Sequence, residues 1–144
     1  MIKPIYRYNI SGKQILKSNP KYYAIDNGMR IIKSSSNNYD RGRFLENLIC
    51  VELLSRGYEV YIGKTYKGEV DFVVIKNGKK CFIQVAYVME SEETIAREFS
   101  AFSPIKDASP KYVLSLDTID MSRNGITHLN IIDFLTHKKD IFLS

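Results

Sequence analysis

The sequence predicts an α/β domain in which helices flank a mixed β-sheet, with a small β-rich extension at the N-terminus. One observation is a hairpin signal, since two apolar, β-branched runs within residues 68–87 flank the turn-forming pair Asn77-Gly78. The second is the order of predicted elements from residue 41, which is helix, three strands, helix, strand, strand, helix. A strand–helix–strand connection late in the chain indicates at least one parallel strand pair in a mixed sheet with helices on both faces.

A polar segment divides the predicted chain into two parts. Residues 1–40 form a β-rich lead-in with alternating side chains and turn signals, but this lead-in has little core of its own and must dock on the rest. The segment from Ser34 to Asp40 is polar and is predicted to be a loop. Residues 41–144 form the main domain, and the whole length suits a single core.

The main domain begins with a predicted helix over residues 41–56, which Gly57 ends. Apolar side chains surround this helix almost completely, so we expect it to be buried. Its carboxylates Glu46 and Glu52 point about 240° apart around the axis and cannot both serve one site. The other predicted elements are strands over 58–62, 112–116 and 125–129, a helix over 91–102 with Ser91 as N-cap, and a closing helix over 131–138.

Composition permits several classes of partner. A net charge of +5, from 21 basic and 16 acidic residues, suits a polyanion such as DNA but equally a solvated basic surface. Cys50 and Cys81 lie in apolar runs, which indicates reduced thiols in a cytoplasmic protein. His128 and His137 lack metal-ligand spacing and are expected on the surface. No apolar run reaches the length of a membrane span, so no membrane partner is expected. The oligomeric state is left open.

The predicted hairpin gathers polar side chains at its open end. Counting outward from the turn places Asp71 opposite Gln84 and Glu69 opposite Ala86, with Glu69, Asp71 and Gln84 on one face. With Glu46 from the helix packed above, Asp71 and Gln84 could ligate Mg²⁺ for phosphodiester cleavage, a reaction that also uses a lysine. The alternative is that Glu69 and Asp71 only solubilise the entrance of the strand. Spacing alone does not decide between them.

Three spaced motifs resemble the signature of the PD-(D/E)xK nuclease superfamily, whose fold is restriction-endonuclease-like: residues 42–46 (GRFLE), 68–71 (GEVD) and 83–86 (IQVA). Further segments are similar to the domain of unknown function at the C-terminus of many prokaryotic AAA-type ATPases: residues 22–30, 46–47, 52–60, 69–73 and 110–114. The resemblance implies a C-terminal module that follows an ATPase module in a longer protein.

Within that resemblance, Glu46 and Asp71 match the family's helical glutamate and first strand aspartate. Gln84 replaces the second acidic residue and Ala86 replaces the lysine. The expected function is therefore a non-cleaving nucleic-acid or protein interaction module. Two alternatives stay open: an active Mg²⁺-dependent DNA endonuclease with a relocated lysine, and a pure protein interaction or dimerisation domain.

This chain has Ala86 where the signature has its lysine, and Lys64, Lys67 or Lys80 could take the place of that lysine. The register is taken to place Lys80 on the face opposite Asp71, which favours the two loop lysines. Nucleic acid could bind in a groove beside the hairpin, where the candidate basic residues are Lys64, Lys67, Arg97, Lys106 and Lys111. Ten tyrosines offer stacking surfaces, although most occupy strand positions where they are expected to pack.

A short glycine-lysine-threonine run at Gly63-Lys64-Thr65 is similar to the end of a phosphate-binding loop. The preceding glycine, Gly57, leaves five intervening residues where that motif has four, and those residues are predicted to form a strand. The chain therefore carries no predicted ATP-binding motif.

Overall fold

The computed structural model describes residues 1–25 and 38–142, which form one seven-stranded sheet with three helices. The strands are β1 (Ile2–Asn9), β2 (Gln14–Ala24), β3 (Glu59–Lys64), β4 (Glu69–Lys76), β5 (Lys79–Val85), β6 (Lys111–Ser115) and β7 (Thr127–Asn130). The helices are α1 (Asn38–Ser55), α2 (Glu92–Ser100) and α3 (Ile131–Leu135). The predicted mixed sheet flanked by helices is confirmed.

The strand order across the sheet is β2-β1-β3-β4-β5-β6-β7. The pairs β1–β3, β5–β6 and β6–β7 are parallel, and the pairs β1–β2, β3–β4 and β4–β5 are antiparallel. The connection through α2 therefore produces the predicted parallel pair, since β5 and β6 need a crossover to run in the same direction.

Two apolar clusters lie on the two faces of the sheet. The α1-side cluster joins residues of α1 and α3 to the sheet, including Ile49, Leu53, Phe72, Ile83 and Phe134. The α2-side cluster joins residues of α2 to the opposite face, including Val73, Phe82, Ile95, Phe99 and Val113. Cys50 and Cys81 are buried free thiols in the α1-side cluster, as predicted from their apolar surroundings.

The N-terminal hairpin is part of the main sheet. Strand β1 pairs with β3 in parallel, with Arg7 opposite Ile62 and Asn9 opposite Lys64. The side chain of Asn47 in α1 holds the end of β2, because its Nδ2 donates to the Ala24 carbonyl at 2.7 Å and its Oδ1 accepts from the Ala24 amide at 3.0 Å. The lead-in thus supplies two strands of the sheet and a contact to α1.

Several predicted boundaries move by one to three residues. Helix α1 begins at Asn38, so the predicted loop is wrong at its last three residues, while residues 34–37 lie outside the described part of the chain. Asp40 stands in the first turn, where a carboxylate interacts favourably with the helix dipole. Gly57 ends α1 with φ +83°, as predicted.

The C-terminal elements are shorter than predicted. Strand β7 starts at Thr127 because Asn124 and Gly125, with φ of +53° and +76°, form the turn between Arg123 and Ile126. Helix α3 ends at Leu135, before His137 takes φ +64°. No helix of the described ranges is long and apolar enough to cross a membrane.

The prediction that both histidines lie on the surface is wrong for His128. Its side chain is buried in β7, with Nε2 at 2.8 Å from the Ser115 hydroxyl, and its Nδ1 accepts a hydrogen bond from the Met121 amide. Burial lowers the pKa of His128. His137 is exposed, as predicted.

Candidate functional site

The Asn-Gly turn sets the register of the central hairpin. Asn77 and Gly78 take φ of +53° and +75°, Lys76 lies opposite Lys79, and Phe72 lies opposite Ile83, as predicted. At the open end of the hairpin the Asp71 amide donates a hydrogen bond to Gln84 Oε1 at 3.0 Å. The Gln84 side chain therefore binds the backbone of the residue that the sequence places opposite it.

A bulge in β4 breaks the predicted alternation beyond Asp71. Tyr61 of β3 lies opposite Val73, but Gly63 lies opposite Val70, so β4 contains one extra residue. Val70 and Val73 consequently pack in the same α2-side cluster, and Glu69 cannot share the face of Val73. The predicted single face is wrong at this end of the strand.

Glu69 is engaged by the N-terminal hairpin. Its carboxylate accepts from Arg7 Nε at 2.7 Å and lies 3.2 Å from Lys21 Nζ. Although burial opposes the change, these two cations lower the pKa of Glu69. This predicted catalytic residue is therefore held in ion pairs, and it is not among the residues that line the cleft beside Asp71.

An open cleft of about 540 Å³ lies between α1 and α2 at the end of β4 and β5. We call it the carboxylate cleft. It contains the predicted residues Glu46, Asp71, Gln84 and Arg97. The described residues that line it are Gly42, Arg43, Glu46, Asp71, Gln84, Val85, Ala86, Tyr87, Val88, Glu90, Thr94, Arg97 and Glu98. Of the four predicted catalytic residues, the structure thus brings three together.

Asp71 is the most perturbed acid of the carboxylate cleft. Its Oδ2 accepts a hydrogen bond from the Val85 amide at 2.8 Å, across the hairpin. Burial raises the pKa of Asp71, the neighbouring carboxylate of Glu46 raises it further, and Glu98 adds to the effect. Burial and the proximity of like charges therefore both favour the protonated form of Asp71.

Glu98 is a third carboxylate that sequence reasoning missed. It belongs to α2 and accepts a hydrogen bond from Gln84 Nε2 at 3.2 Å. A helical count from the N-cap Ser91 could have found it, because Thr94 and Glu98 are four residues apart and lie on the same face of α2. The confirmed cap itself accepts from the Thr94 amide.

Gln84 has both ends of its amide occupied by protein groups. The oxygen accepts from the Asp71 amide and the nitrogen donates to Glu98. This arrangement fixes the side chain as a bridge from β4 to α2. Using the oxygen as a metal ligand would require a new arrangement of that bridge.

Glu46 also has a protein partner. The hydroxyl of Tyr23, from β2, donates to Glu46 Oε1 at 2.7 Å. Burial and the adjacent Glu46 raise the pKa of Tyr23. Glu52, by contrast, pairs with Arg56 at 2.7 Å, which confirms that the two α1 glutamates serve different places.

The carboxylate cleft holds the three predicted metal ligands, Glu46, Asp71 and Gln84. Within residues 1–25 and 38–142, no group of three or more His, Cys, Asp or Glu side chains is arranged to hold a metal. Glu46, Asp71 and Gln84 are close in the cleft, yet each of them already accepts or donates hydrogen bonds within the protein. Among the acids of the cleft, Glu98 forms an ion pair with Arg97 at 3.6 Å, and the Val85 amide donates to Asp71.

No lysine is among the described residues that line the carboxylate cleft. Lys67 Nζ donates to Ser103 Oγ at 3.3 Å, and Lys64 ends β3 opposite Glu69. Lys80 lies opposite Ile75 and 5.7 Å from the Phe82 ring, so its predicted placement is wrong: it shares the face of Phe82 and Gln84. Its ammonium nevertheless pairs with Asp107, near the turn end of the hairpin.

A cation that sequence reasoning missed acts on Asp71 from the edge strand. Lys21 of β2 lowers the pKa of Asp71, although this effect is smaller than the raising effects of burial and Glu46. Lys21 also pairs with Glu69. No local signal links residue 21 to residue 71, because the contact depends on the insertion of β1 and β2 into the sheet.

The predicted nucleic-acid-binding residues do not share one groove. Arg97 lines the carboxylate cleft and lies 3.6 Å from Glu98. Lys111 lies in a different depression, where its ammonium donates to the carbonyls of Asp107 and Ser109, and burial lowers its pKa. Lys64 and Lys67 flank the turn between β3 and β4.

A buried polar cluster near the carboxylate cleft has the composition of a catalytic triad but not its geometry. Ser115 donates to Asp117 at 2.6 Å and faces His128 Nε2, whereas the nitrogen His128 Nδ1 accepts from a backbone amide. In a triad the aspartate orients the histidine, and here it contacts the serine. Asp117 also accepts from the Met89 amide, so the cluster anchors the segment that follows β5.

Residues 41–134 match the family described as "Domain of unknown function (DUF4143)". The match covers about two thirds of the chain and includes α1, the central hairpin and α2. The chain belongs to this family. The described residues that line the carboxylate cleft all lie within residues 41–134. Tyr23, whose hydroxyl binds Glu46, lies before that range.

Two curated relatives of this DUF4143 chain are considerably longer proteins. An "Uncharacterized protein" of Haemophilus influenzae is 34% identical over 133 residues, which are 90% of this chain and 32% of the relative. An "Uncharacterized protein" of Methanocaldococcus jannaschii is 35% identical over 118 residues, 78% of this chain and 24% of the relative. The chain therefore spans about a third or less of their lengths. No solved structure matches it.

Proposed function

We propose that this chain is a nuclease-fold module that binds nucleic acid without cleaving it. The observation that supports the proposal is the state of Gln84, whose amide oxygen and nitrogen both bind groups of the protein. Gln84 stands where the resembling PD-(D/E)xK signature has an acidic metal ligand. In this proposal Gln84 does not bind metal, and its hydrogen bonds to Asp71 and Glu98 connect β5 to β4 and α2.

The replacement of the signature lysine by Ala86 supports the same proposal. Ala86 lines the carboxylate cleft, and the cationic residues among the described lining are Arg43 and Arg97. Removal of one charge-stabilising group typically lowers the rate of an enzyme by about 10²–10³. In this proposal the site has lost two sources of transition-state stabilisation, the metal ion and the lysine.

The parent protein in this proposal is an AAA-type ATPase-like protein with this domain at its C-terminus, in the cytoplasm. The lengths of the two relatives leave room for such a module, and the resemblance described above suggests its kind. ATP hydrolysis would belong to that other module. In this chain Gly63 and Lys64 lie in β3 and a turn follows them. In a phosphate-binding loop the corresponding residues lead into a helix.

Nucleic acid is the partner class that the charge favours. The chain carries a net charge of +5, and the described lysines Lys13, Lys64 and Lys106 have no ion-pair partner among residues 1–25 and 38–142. Uncompensated lysines displace the counterions of a phosphate backbone, which is the main source of sequence-independent affinity.

Two assays on the purified protein test the proposal. Single-stranded, duplex and branched DNA are incubated with Mg²⁺ or Mn²⁺ and either the natural protein or Asp71→Ala, and binding to the same DNA is measured at increasing salt. We expect no cleavage by either protein and binding that weakens steeply with salt.

The alternatives predict different results. Cleavage that disappears in Asp71→Ala would support a Mg²⁺-dependent endonuclease that uses Glu46, Asp71 and Gln84. No binding at low salt, combined with self-association or capture by the ATPase module, would support a protein interaction or dimerisation domain.

A further inference from the structure

A rigid turn between β3 and β4 presents an unusually exposed aromatic side chain. The Thr65 amide donates to the Gly68 carbonyl at 2.8 Å, and the Thr65 hydroxyl oxygen accepts from the amides of Lys67 and Gly68. Tyr66 stands at the tip of this turn with 91% of its surface exposed. It has no hydrogen-bond or ring partner in the described part of the chain.

The exposure of Tyr66 differs from that of most tyrosines here. Tyr8 and Tyr61 pack against each other, and Tyr23 packs against Phe72. An ordered turn that holds an aromatic ring in water forgoes the free energy of burying that ring. Such a ring is available to stack on a ligand without any rearrangement of the turn.

A cleft of about 640 Å³ lies beside Tyr66, and we call it the Tyr66 cleft. Three segments build it: the β1–β2 turn, the β3–β4 turn and the segment after α2. Ile10, Pro104 and Ile105 supply apolar surface, and Lys13 and Lys106 supply charge. It shares no lining residue with the carboxylate cleft.

The charge around the Tyr66 cleft is positive and uncompensated. Lys13, Lys64 and Lys106 are exposed and have no ion pair within the described ranges, and Lys67 contacts only a serine hydroxyl. The one acid that lines the cleft, Asp107, is paired with Lys80 at 2.7 Å. The carboxylate cleft, in contrast, contains Glu46, Asp71, Glu90 and Glu98, which repel phosphate.

We infer that the Tyr66 cleft is the place where this chain binds single-stranded nucleic acid. A base stacks on the Tyr66 ring, the apolar floor accommodates it, and the surrounding lysines contact the flanking phosphates. Stacking needs an unpaired base, which excludes an intact duplex from this contact. The inference builds on the proposed function, since it locates the surface through which that function operates.

Fluorescence anisotropy with a labelled 20-nucleotide oligo-dT and its duplex form tests the inference on the full chain. We expect Tyr66→Ala to weaken binding of the single strand roughly 5- to 150-fold, the range measured for loss of one stacking partner. Tyr66→Phe keeps the ring and should bind like the natural protein. The matched control is Tyr22→Ala, which removes another exposed tyrosine, on β2, and should not change the affinity.

Charge variants add an independent measurement. Lys13→Ala combined with Lys106→Ala should make the dependence of binding on salt less steep, because fewer counterions are released. Equal binding by Tyr66→Ala and the natural protein, or equal affinity for the duplex, would overturn this inference but not the proposed function. No binding by the natural protein at low salt would overturn both.

Discussion

At the scale of single residues, Asp71 illustrates a conflict between position and charge. Burial and Glu46 raise its pKa, so the unfolded chain releases the Asp71 proton at a lower pH than the folded chain does. The folded state therefore loses stability, relative to the unfolded state, as pH rises from the ordinary aspartate range through the raised pKa. Above the ordinary aspartate range, burial of the Asp71 carboxyl group beside Glu46 therefore opposes folding.

Asp71→Asn should consequently stabilise the protein at pH 7 by about 0.5–2 kcal/mol, as removal of unfavourable site charges commonly does. The asparagine oxygen can still accept from the Val85 amide. Thermal unfolding between pH 4 and pH 8 checks this, and the gain should shrink as the pH falls. If Asp71→Asn lowered the free energy of unfolding equally at every pH, the prediction that the Asp71 carboxyl group destabilises the fold would be wrong.

Glu69→Gln is the control with the opposite sign. Arg7 and Lys21 lower the pKa of Glu69 against the effect of burial, so the carboxylate contributes stability that is present at neutral pH and lost in acid. The variant should be less stable than the natural protein at pH 7 and equal to it at low pH.

Gln84→Glu tests the loss of metal binding. The new carboxylate keeps the acceptor for the Asp71 amide but replaces the donor to Glu98 by a like charge. We expect a loss of about 1–3 kcal/mol in metal-free buffer, partly recovered when millimolar Mn²⁺ is added. The natural protein and the exposed control Gln14→Glu should not respond to Mn²⁺. If Mn²⁺ stabilised the natural protein as much as it stabilises Gln84→Glu, the proposal that the natural cleft has lost metal binding would be wrong.

At the scale of elements, two glycines make a matched pair. A methyl group at Gly63 would lie 3.0 Å from side-chain carbons of Ile10 and Val73, beside the bulge, whereas one at Gly42 in α1 would meet nothing within 4 Å. Gly63→Ala should therefore cost about 1–3 kcal/mol by overpacking. Gly42→Ala should add about 0.5–1 kcal/mol, because alanine is the better helix former. Urea denaturation measures the free energy of unfolding of both variants. If Gly63→Ala were as stable as the natural protein, the bulge would have to shift to accommodate the methyl group.

The hairpin shows how far local sequence predicts structure. Asn77-Gly78 fixes the turn, and the register from it correctly brings Asp71 to Gln84. The bulge opposite Gly63 has no comparable local signal, since it depends on the packing of β3 against β4. Glu46, Asp71 and Gln84 line one cleft as the sequence predicts, whereas Glu69 lies outside the described lining, where the bulge breaks the regular alternation.

At the scale of the molecule, the family range and the folded unit differ. The match begins at residue 41, but β1 lies between β2 and β3 and the hairpin contributes Ile5, Ile10 and Tyr23 to the two cores. The sequence predicts that the lead-in of residues 1–40 docks on the main domain of residues 41–144. It could not predict the parallel pairing of β1 with β3, because residues distant in the chain form that contact.

A chain shortened to residues 41–144 should fail to fold independently. It would expose the edge of β3 and leave Asn47 without its partner at Ala24. Size-exclusion chromatography and urea denaturation should show aggregation or the absence of a cooperative transition. A chain of residues 1–142 is the control and should unfold like the full chain. Cooperative unfolding of residues 41–144 would contradict the integral role of the hairpin.

The two buried cysteines give the protein built-in reporters of its internal opening. Cys50 belongs to α1 and Cys81 to β5, and burial raises the pKa of both thiols, that of Cys50 to about 12. A thiol reagent therefore reacts with either one only when its element leaves the core. In single-cysteine variants, faster labelling at Cys50 would show that the helix detaches while the sheet stays closed. Equal labelling rates would show that helix and sheet separate in one event.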